Sequence, residues 1–248
     1  MNGWLKTVLH GLAPGLCIMC GAYSHRNIDL CVACEQDLPR LRHVCARCGN
    51  TRPTTLDDGA PNTPSTNAPS TCPHCVAIQP NWTALFAGFH YDPPVDRLIS
   101  MFKAEGRLSH GKVLSELLAR YWLAESPVLP DMILPVPLHK SRLRQRGFNQ
   151  ALEIAYVLSD HTGIPCQARY CRRVRDTPPQ KQLPRKERLK NLVNAFSVEP
   201  LTDSPHVILV DDVVTTGATA RALTQCLLDA GARQVDVVAI ALRSRQPQ

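Results

Sequence analysis

The segment from Val207 to Ala220 places two adjacent carboxylates directly after a run of aliphatic residues. It reads VILVDDVVTTGATA, so Asp211 and Asp212 follow four apolar residues and precede a small, hydroxyl-rich turn. A carboxylate at the end of a buried strand needs water, a cation or hydroxyl donors, because an unpaired buried charge is unfavourable. The free N–H groups at the start of a following helix favour an anion. The segment therefore predicts a sugar-phosphate site, in which the acids accept hydrogen bonds from ribose hydroxyls and the turn holds the phosphate.

Acids, hydroxyls and small residues make up this predicted site. Its members are Asp211, Asp212, Thr215, Thr216, Gly217, Ala218 and Thr219. The segment is not a Walker loop, because the required glycine spacing is absent and no lysine follows Gly217. Simple helix capping by an acid or a threonine would explain one of these residues, but it does not explain the whole string.

Eight of the eleven cysteines occur as four C-x-x-C pairs, all of them in the first third of the chain. Two thiolates at this spacing converge on one metal ion from a tight turn, and two such pairs complete a tetrahedral zinc site. Ten residues separate the first two pairs and 23 separate the last two, which favours pairing in sequence order. The predicted ligands of two structural Zn²⁺ ions are Cys17, Cys20, Cys31, Cys34, Cys45, Cys48, Cys72 and Cys75.

A disulfide framework and an iron–sulfur cluster are the alternatives to zinc. Disulfide-rich small domains are typical of secreted proteins, whereas the first residues here read as a short helix rather than a signal peptide. An iron–sulfur cluster usually takes its cysteines from one compact set of four. Cys166, Cys171 and Cys226 lie outside the pairs, and we expect them to be ordinary thiols.

Positive charge is concentrated in one part of the chain. The whole sequence has 28 basic and 21 acidic residues, a net charge of +7. The range from Lys140 to Lys190 holds thirteen basic and four acidic residues, a local charge of +9, so the remainder sums to −2. Such a patch suits phosphate, either of a nucleotide or of a nucleic-acid backbone. A solvated basic surface is the simpler alternative.

Strand and helix patterns alternate beyond residue 80. Strands are predicted at 84–91, 132–137, 195–198, 206–212 and 235–242, and helices from about 94 and at 110–125, 149–163 and 217–231. This alternation predicts a parallel α/β sheet, whose ligands bind beyond the carboxyl ends of the strands. We expect a double zinc ribbon at 1–80, with a flexible Pro-, Thr- and Ser-rich insertion at about 51–70, and an α/β domain at 81–248.

The stretch VILVDDVVTTGAT resembles the phosphoribosyl-pyrophosphate signature of type I phosphoribosyltransferases. The resemblance implies a type I phosphoribosyltransferase-like parallel sheet behind the N-terminal double zinc-ribbon domain. It also implies that Asp211 and Asp212 hold the ribose hydroxyls, that the turn from Thr215 to Thr219 wraps the 5′-phosphate, and that Mg²⁺ accompanies the pyrophosphate.

Further segments narrow this resemblance to one family. PVPLHKSRLRQRGFNQA after a strand, RVRDTPPQKQLPRKERLKNLVNAF before the signature and the paired cysteines together resemble the ComF family, which includes GntX-type proteins of Gram-negative bacteria. The resemblance covers nearly the whole chain. It implies a cytoplasmic role in DNA uptake during competence or in the use of external DNA as a nutrient.

The resemblance also assigns two basic segments. By position, HKSRLRQRGFNQ matches the loop that contacts pyrophosphate, and residues 175–190 match the flexible loop that closes over the substrate. The residues expected to contact pyrophosphate or a DNA backbone are Lys140, Arg142, Arg144, Arg146, Arg185 and Arg188. Transfer would need little acid–base chemistry if C1 of the ribose leaves pyrophosphate with oxocarbenium character. The sequence therefore assigns no catalytic residue.

Different functions fit these features. One is a phosphoribosyltransferase of nucleotide metabolism; the other is a DNA-uptake protein that binds single-stranded DNA through its charge, with or without a transfer reaction. The expected partners are phosphoribosyl pyrophosphate or a nucleotide, single-stranded DNA and proteins of the DNA-uptake machinery. No run approaches the roughly 18 apolar residues that a membrane span needs, so we expect no membrane insertion.

Overall fold

The computed structural model describes residues 15–42, 44–50, 71–77, 79–125, 128–176 and 194–243. Three predictions fall outside these residues: the helix at the start of the chain, the flexible insertion at 51–70 and most of the closing loop at 175–190. Arg185 and Arg188 lie in that last segment.

Helices and strands alternate through most of the described chain. The helices are α1 (Val32–Gln36), α2 (Pro73–Ala77), α3 (Val95–Ala104), α4 (Leu108–Glu125), α5 (Lys140–Arg146), α6 (Gln150–Thr162) and α7 (Ala218–Asp229). The strands are β1 (Leu85–His90), β2 (Met132–Pro135), β3 (Cys171–Arg173), β4 (Phe196–Val198), β5 (His206–Val214) and β6 (Gln234–Leu242).

Four strands form a parallel sheet in the order β1-β6-β5-β2. The central strands β5 and β6 are each nine residues long, and most of their side chains are buried. Such strands need cover on both faces of the sheet, which the connecting helices provide. The predicted parallel α/β sheet is therefore confirmed. The strands β3 and β4 form a separate antiparallel pair.

Each face of the sheet has its own apolar core. On one face α3, α4 and α6 cover the sheet, with Phe102, Leu114, Leu118, Ile154, Ile208, Val210 and Ile240 buried together. On the other face α7 and the β3–β4 pair pack against Leu209 and Val237 through Phe196, Leu223 and Leu227. The central strand β5 is thereby fixed from both sides, and so is the direction of the residues at its end.

The cysteine-rich segment packs directly onto the sheet. Ile28, Leu30 and Leu38 are buried in the same apolar cluster as helix α4. Backbone hydrogen bonds join residues 39–46 to β1: Leu41 donates to the carbonyl of Gly88 at 3.1 Å, and Leu85 donates to the carbonyl of Ala46 at 2.8 Å. These bonds cover the outer edge of β1, an edge that would otherwise expose unpaired backbone groups. The domain boundary at residue 80 stays a prediction.

Candidate functional site

The two adjacent acids lie near the carboxyl end of the central strand, but not beyond it. Strand β5 continues to Val214, because β6 pairs with it as far as Leu242. On its other side, pairing with β2 ends at Val210, to which Val136 still donates a backbone hydrogen bond of 2.8 Å. Asp211 and Asp212 therefore follow the last residue that β2 covers, and both are half-buried.

Lys103 forms an ion pair with Asp212. Its Nζ lies 2.9 Å from Oδ2 of Asp212, and only 26% and 14% of the two side chains are exposed. Lys103 is near the end of α3, and Phe102 beside it is buried in the core. An ion pair that is this well shielded is less screened by water than an exposed one. Lys103 thus compensates one acid of the candidate site from within the fold itself.

Asp211 has a strongly perturbed pKa. Burial, followed by the neighbouring charge of Asp212, raises it from 3.8 to about 7. Lys103, the backbone N–H of Asp212 at 2.9 Å and Arg173 act in the opposite direction without cancelling these effects. A carboxyl group with such a pKa has a strong tendency to acquire a hydrogen-bond donor or a cation. Hydroxyl groups of a bound ribose would provide donors at this position.

The turn after β5 contains a glycine in the left-handed backbone conformation. Gly217 has a φ of +72°, in the left-handed region that favours glycine, and it precedes helix α7. The hydroxyl of Thr216 accepts a hydrogen bond of 3.4 Å from the N–H of Ala218. Thr215 and Thr216 are half-buried, while Gly217 and Ala218 are buried. The helix start therefore lies one short turn away from the acid pair, as an anion-binding turn requires.

The first basic segment is a helix rather than the predicted loop. Residues Lys140–Arg146 form α5, which His139 caps and Gly147 ends with a φ of +84°. None of its residues is buried. Apart from Ser141, the helix consists of Lys, Arg, Leu and Gln, which are good helix formers, and this explains the difference from the prediction. Lys140, Arg142, Arg144 and Arg146 are therefore displayed from one short rigid element.

The end of β2 holds this helix next to the acid pair. Asn149 caps α6 by accepting a hydrogen bond of 3.1 Å from Ala151, and its amide donates to the carbonyl of Val136 at 3.1 Å. Arg146 donates to the buried side chain of Gln150 at 2.6 Å. Since β2 is the neighbour of β5, these bonds fix the basic segment beside the strand that carries the acids.

Arg173 connects the two halves of the site. It is the last residue of β3, and burial, followed by the neighbouring charge of Arg142, lowers its pKa. Asp211 lies close enough to act on it in the opposite direction. Arg173 is therefore within electrostatic range of one residue of the acid pair and one residue of the basic helix.

Lys103, Arg173 and Gln150 were not predicted as site residues. Lys103 is 109 positions before Asp212, so only the packing of α3 against the sheet brings them together. Gln150 belongs to the RGFNQ segment that carried the family resemblance, and that was a usable signal. Its burial in the first turn of α6 follows only from the fold. The acids and the turn follow one another from β5 into α7, and both Arg142 and Asp211 act on the pKa of Arg173. Arg185 and Arg188 lie outside the described residues.

The eight paired cysteines form two groups of four, in the predicted sequential pairing. The first group is Cys17, Cys20, Cys31 and Cys34, and the second is Cys45, Cys48, Cys72 and Cys75. Within each group all sulfur atoms lie within 4.8 Å of one another. Cys20 and Cys31 are 3.8 Å apart, and Cys48 and Cys72 are 3.6 Å apart. Zn–S bonds of about 2.3 Å in a tetrahedron place sulfurs about 3.8 Å apart, so these groups fit zinc.

Each group already favours one thiolate. Burial acts to raise the pKa of Cys17 and of Cys45, but the surrounding backbone N–H groups outweigh it and lower these values to about 6 and about 7. In the second group, the N–H of Cys72 donates to Cys45 Sγ at 3.2 Å. Burial raises the pKa of Cys75 to about 11 and raises that of Cys34 and Cys48 as well. Only a bound cation makes four thiolates favourable together, which fits metal coordination.

Comparison with curated proteins identifies close full-length relatives. The chain is 34% identical over 231 residues to the DNA utilization protein YhgH of Salmonella typhi, covering 90% of this chain and 95% of the relative. It is 31% identical over 236 residues to competence protein F of Haemophilus influenzae, at 91% and 96% coverage. Competence protein ComFC of Bacillus subtilis is 23% identical, at 89% and 92% coverage. No family model matches the chain.

The solved structures similar to this chain include phosphoribosyltransferases. Adenine phosphoribosyltransferase from Leishmania tarentolae is 14% identical, with a TM-score of 0.36 over 66% of this chain and 93% of that one. A purine phosphoribosyltransferase from Pyrococcus horikoshii is 18% identical, with a TM-score of 0.33 over 54% and 76%. These scores are low, so the fold assignment rests on the parallel sheet itself. In the described parts of the chain, none of the helices has the length and apolar character to cross a bilayer.

Proposed function

The chain belongs to the ComF family of competence and DNA utilization proteins, and from this premise we propose that it binds phosphoribosyl pyrophosphate or a nucleotide's ribose phosphate. The observation that carries the proposal is the half-buried acid pair on β5. It directly follows Val210, the last residue of β5 that pairs with β2, and it precedes the start of α7 at Gly217. Its role in the cell would be the use of imported DNA, as the names of its relatives indicate.

Each part of the site has a distinct task in this proposal. The carboxylates of Asp211 and Asp212 accept hydrogen bonds from two neighbouring ribose hydroxyls. The turn from Thr215 to Thr219 surrounds the 5′-phosphate, where the α7 N-terminus favours negative charge. Arg142 and Arg146 contact the pyrophosphate from α5, and Arg173, which interacts electrostatically with both Arg142 and Asp211, adds a further positive charge. Mg²⁺ would enter with the pyrophosphate and neutralise part of its charge.

A transfer reaction is a finer proposal on the same site. The bond between C1 of the ribose and pyrophosphate would break, with its electron pair leaving on the pyrophosphate oxygen. A lone pair of an acceptor nitrogen or oxygen would then form the new bond to C1. The basic helix would stabilise the leaving charge electrostatically. Pyrophosphate release that requires both the ligand and an acceptor base would separate transfer from binding alone.

Replacing Asp212 by asparagine is expected to weaken phosphoribosyl-pyrophosphate binding about 10- to 100-fold, because a charge-assisted hydrogen bond contributes about 1.5–3 kcal/mol. Isothermal titration with and without Mg²⁺ measures the effect. Asp229→Asn is the matched control, since Asp229 is an exposed acid at the other end of α7. Absence of binding by the wild type would overturn the proposal. If Asp212→Asn bound the ligand as tightly as the wild type, Asp212 would not contact the ribose.

Single-stranded DNA binding is a second candidate function, favoured by the surface position of α5. Its four basic residues lie on a helix with no buried member, and no acid occurs in its first turn. A flexible phosphate backbone can follow such a helix without base contacts. The few aromatic residues nearby, Phe148 and Tyr170 among them, favour charge-based binding over sequence recognition.

Changing Arg142, Arg144 and Arg146 together to alanine is expected to lower affinity for single-stranded DNA and to reduce its salt dependence. Three lost phosphate contacts would flatten the slope of log K against log salt by about 2. Fluorescence anisotropy with a labelled oligonucleotide at several salt concentrations measures both quantities. A variant with Arg97, Lys112 and Arg233 changed to alanine carries the same charge loss outside the patch. Equal losses in the two variants would exclude α5 as the DNA contact.

A further inference from the structure

The second cysteine group packs against the end of the sheet from which the turn from Thr215 to Thr219, here called the phosphate turn, projects. A Cβ atom on Gly49 would lie 2.7 Å from Leu242 and 2.9 Å from Leu85, so no side chain fits there. The carbonyl of Ala46, inside the Cys45–Cys48 pair, accepts a hydrogen bond from Leu85 at 2.8 Å. The Cys45–Cys48 segment is therefore in direct contact with β1 and β6.

Trp82 lies between this thiol pair and the turn. Its indole Nε1 donates a 2.6 Å hydrogen bond to the carbonyl of Arg47, which also belongs to the Cys45–Cys48 pair. On its opposite side, a Cβ atom on Gly217 would lie 2.9 Å from the indole ring. Trp82 is 5% exposed, so most of its ring is packed between the two segments.

One cavity joins the two segments on their solvent side. It is lined by Cys48, Cys75 and Trp82, and by Thr215, Thr216 and Gly217 of the turn. The guanidinium group of Arg221, in the first turn of α7, lies 5.5 Å from the centre of the indole ring. The carbonyl of the same residue accepts a hydrogen bond of 2.9 Å from Asn81, the neighbour of Trp82. The start of α7 is thereby attached to the segment that holds the indole.

We propose that Trp82 is a positioning residue that couples metal binding at the second cysteine group to the shape of the phosphate turn. Arg47 lies between two ligand cysteines, so a bound metal fixes the carbonyl that holds the indole. The indole in turn forms the wall against which Gly217 adopts its left-handed backbone conformation. When the metal is lost, the carbonyl of Arg47 is no longer held in place and the indole loses its hydrogen-bond acceptor. The phosphate turn then loses the packing surface next to Gly217. The inference rests on the proposed phosphate role of this turn.

An ordinary packing role for Trp82 makes a different prediction. A core tryptophan that only fills space would lower stability on substitution, but metal removal would then affect the turn equally with or without it. Coupling through the indole requires that the effect of metal removal depends on Trp82. Hydrogen exchange in the turn and ligand affinity distinguish these cases, because global stability alone does not report on either.

The test compares wild type, Trp82→Phe and Trp122→Phe, each zinc-loaded and treated with a chelator. Phenylalanine keeps an aromatic ring but removes the N–H donor. Trp122 is also buried, at 4% exposure, but it belongs to the apolar core on the other face of the sheet. The readouts are amide hydrogen exchange of residues 213–221 and the affinity for phosphoribosyl pyrophosphate. Exchange of residues 207–210 reports whether the sheet itself loosens.

Chelation is expected to accelerate exchange in the turn at least about fivefold in wild type and Trp122→Phe. In Trp82→Phe the turn exchanges faster already with metal bound, and chelation adds less than about twofold. Equal acceleration in all three proteins, or none in the wild type, would overturn the coupling. If no variant binds the ligand, the proposed function fails, while the exchange data still decide the role of Trp82.

Discussion

Replacing Asp211 by asparagine is expected to raise the free energy of unfolding at pH 8 by up to about 4 kcal/mol. The pKa of this carboxyl rises from 3.8 to about 7 in the folded protein, chiefly through burial and the charge of Asp212. Each tenfold change in acidity corresponds to about 1.4 kcal/mol. Because the pKa of Asp211 is higher in the folded than in the unfolded protein, its protonated carboxyl contributes its full stability only below about pH 4. That contribution is lost as the pH rises to about 7, so the ionised carboxyl destabilises the fold at pH 8.

The gain from Asp211→Asn should therefore depend on pH. Urea unfolding at pH 8 and pH 5 measures it, and the difference from wild type should shrink at pH 5, where the folded carboxyl is protonated. Asp229→Asn, on the exposed end of α7, should show little change at either pH. The same Asp211 variant should lose ligand affinity, so stability and binding would move in opposite directions. If Asp211→Asn were less stable than wild type at pH 8, the ionised Asp211 could not be unfavourable in the folded protein, and this explanation would be wrong.

Mutating one ligand in either cysteine group is expected to remove one zinc ion and to lower the melting temperature by about 10–20 °C. Zinc binding to such sites contributes on the order of 10 kcal/mol, and part of it is lost with one ligand. Cys17→Ser tests the first group and Cys45→Ser the second, because each is the thiol whose pKa is lowered within its group. Elemental analysis with thermal unfolding monitored by circular dichroism measures both effects.

Cys226→Ser is the matched control for these variants. Cys226 is half-buried in α7 and lies outside both groups, so this variant should retain two zinc ions per chain. Fewer than about two zinc ions in the wild type would contradict coordination by eight thiolates. Unchanged metal content in Cys17→Ser or Cys45→Ser would contradict the assignment of that group.

The elements that local sequence determines were predicted well. The run from Val207 to Val210, the turn at Gly217 and the helix that follows carry their own signals: aliphatic side chains, a left-handed glycine and capping hydroxyls. The end of β5 was placed too early, since the strand runs two residues beyond Asp212. Acids have low strand propensity, but pairing with the long partner β6 overrides it here.

Features that depend on distant packing were not visible in the sequence. Nothing near Lys103 marks it as the partner of Asp212, and Arg173 appeared only as part of a basic stretch. Their positions follow from how α3 and β3 pack around the sheet end. The two cysteine groups were predicted because C-x-x-C pairs carry their geometry within four residues. The contact between Trp82 and Gly217 joins residues 135 positions apart, and no local pattern encodes it.

The ion pair between Lys103 and Asp212 has a consequence for how a metal reaches the site. With Lys103 and Arg173 beside two acids, one of which has a pKa of about 7, the resting site carries almost no net negative charge. A lone divalent cation would therefore find little electrostatic attraction and would have to compete with Lys103. The anionic ligand would bring its own counter-ion, so Mg²⁺ and pyrophosphate should bind as one complex. The protein would then bind the magnesium complex of phosphoribosyl pyrophosphate in preference to the metal-free ligand.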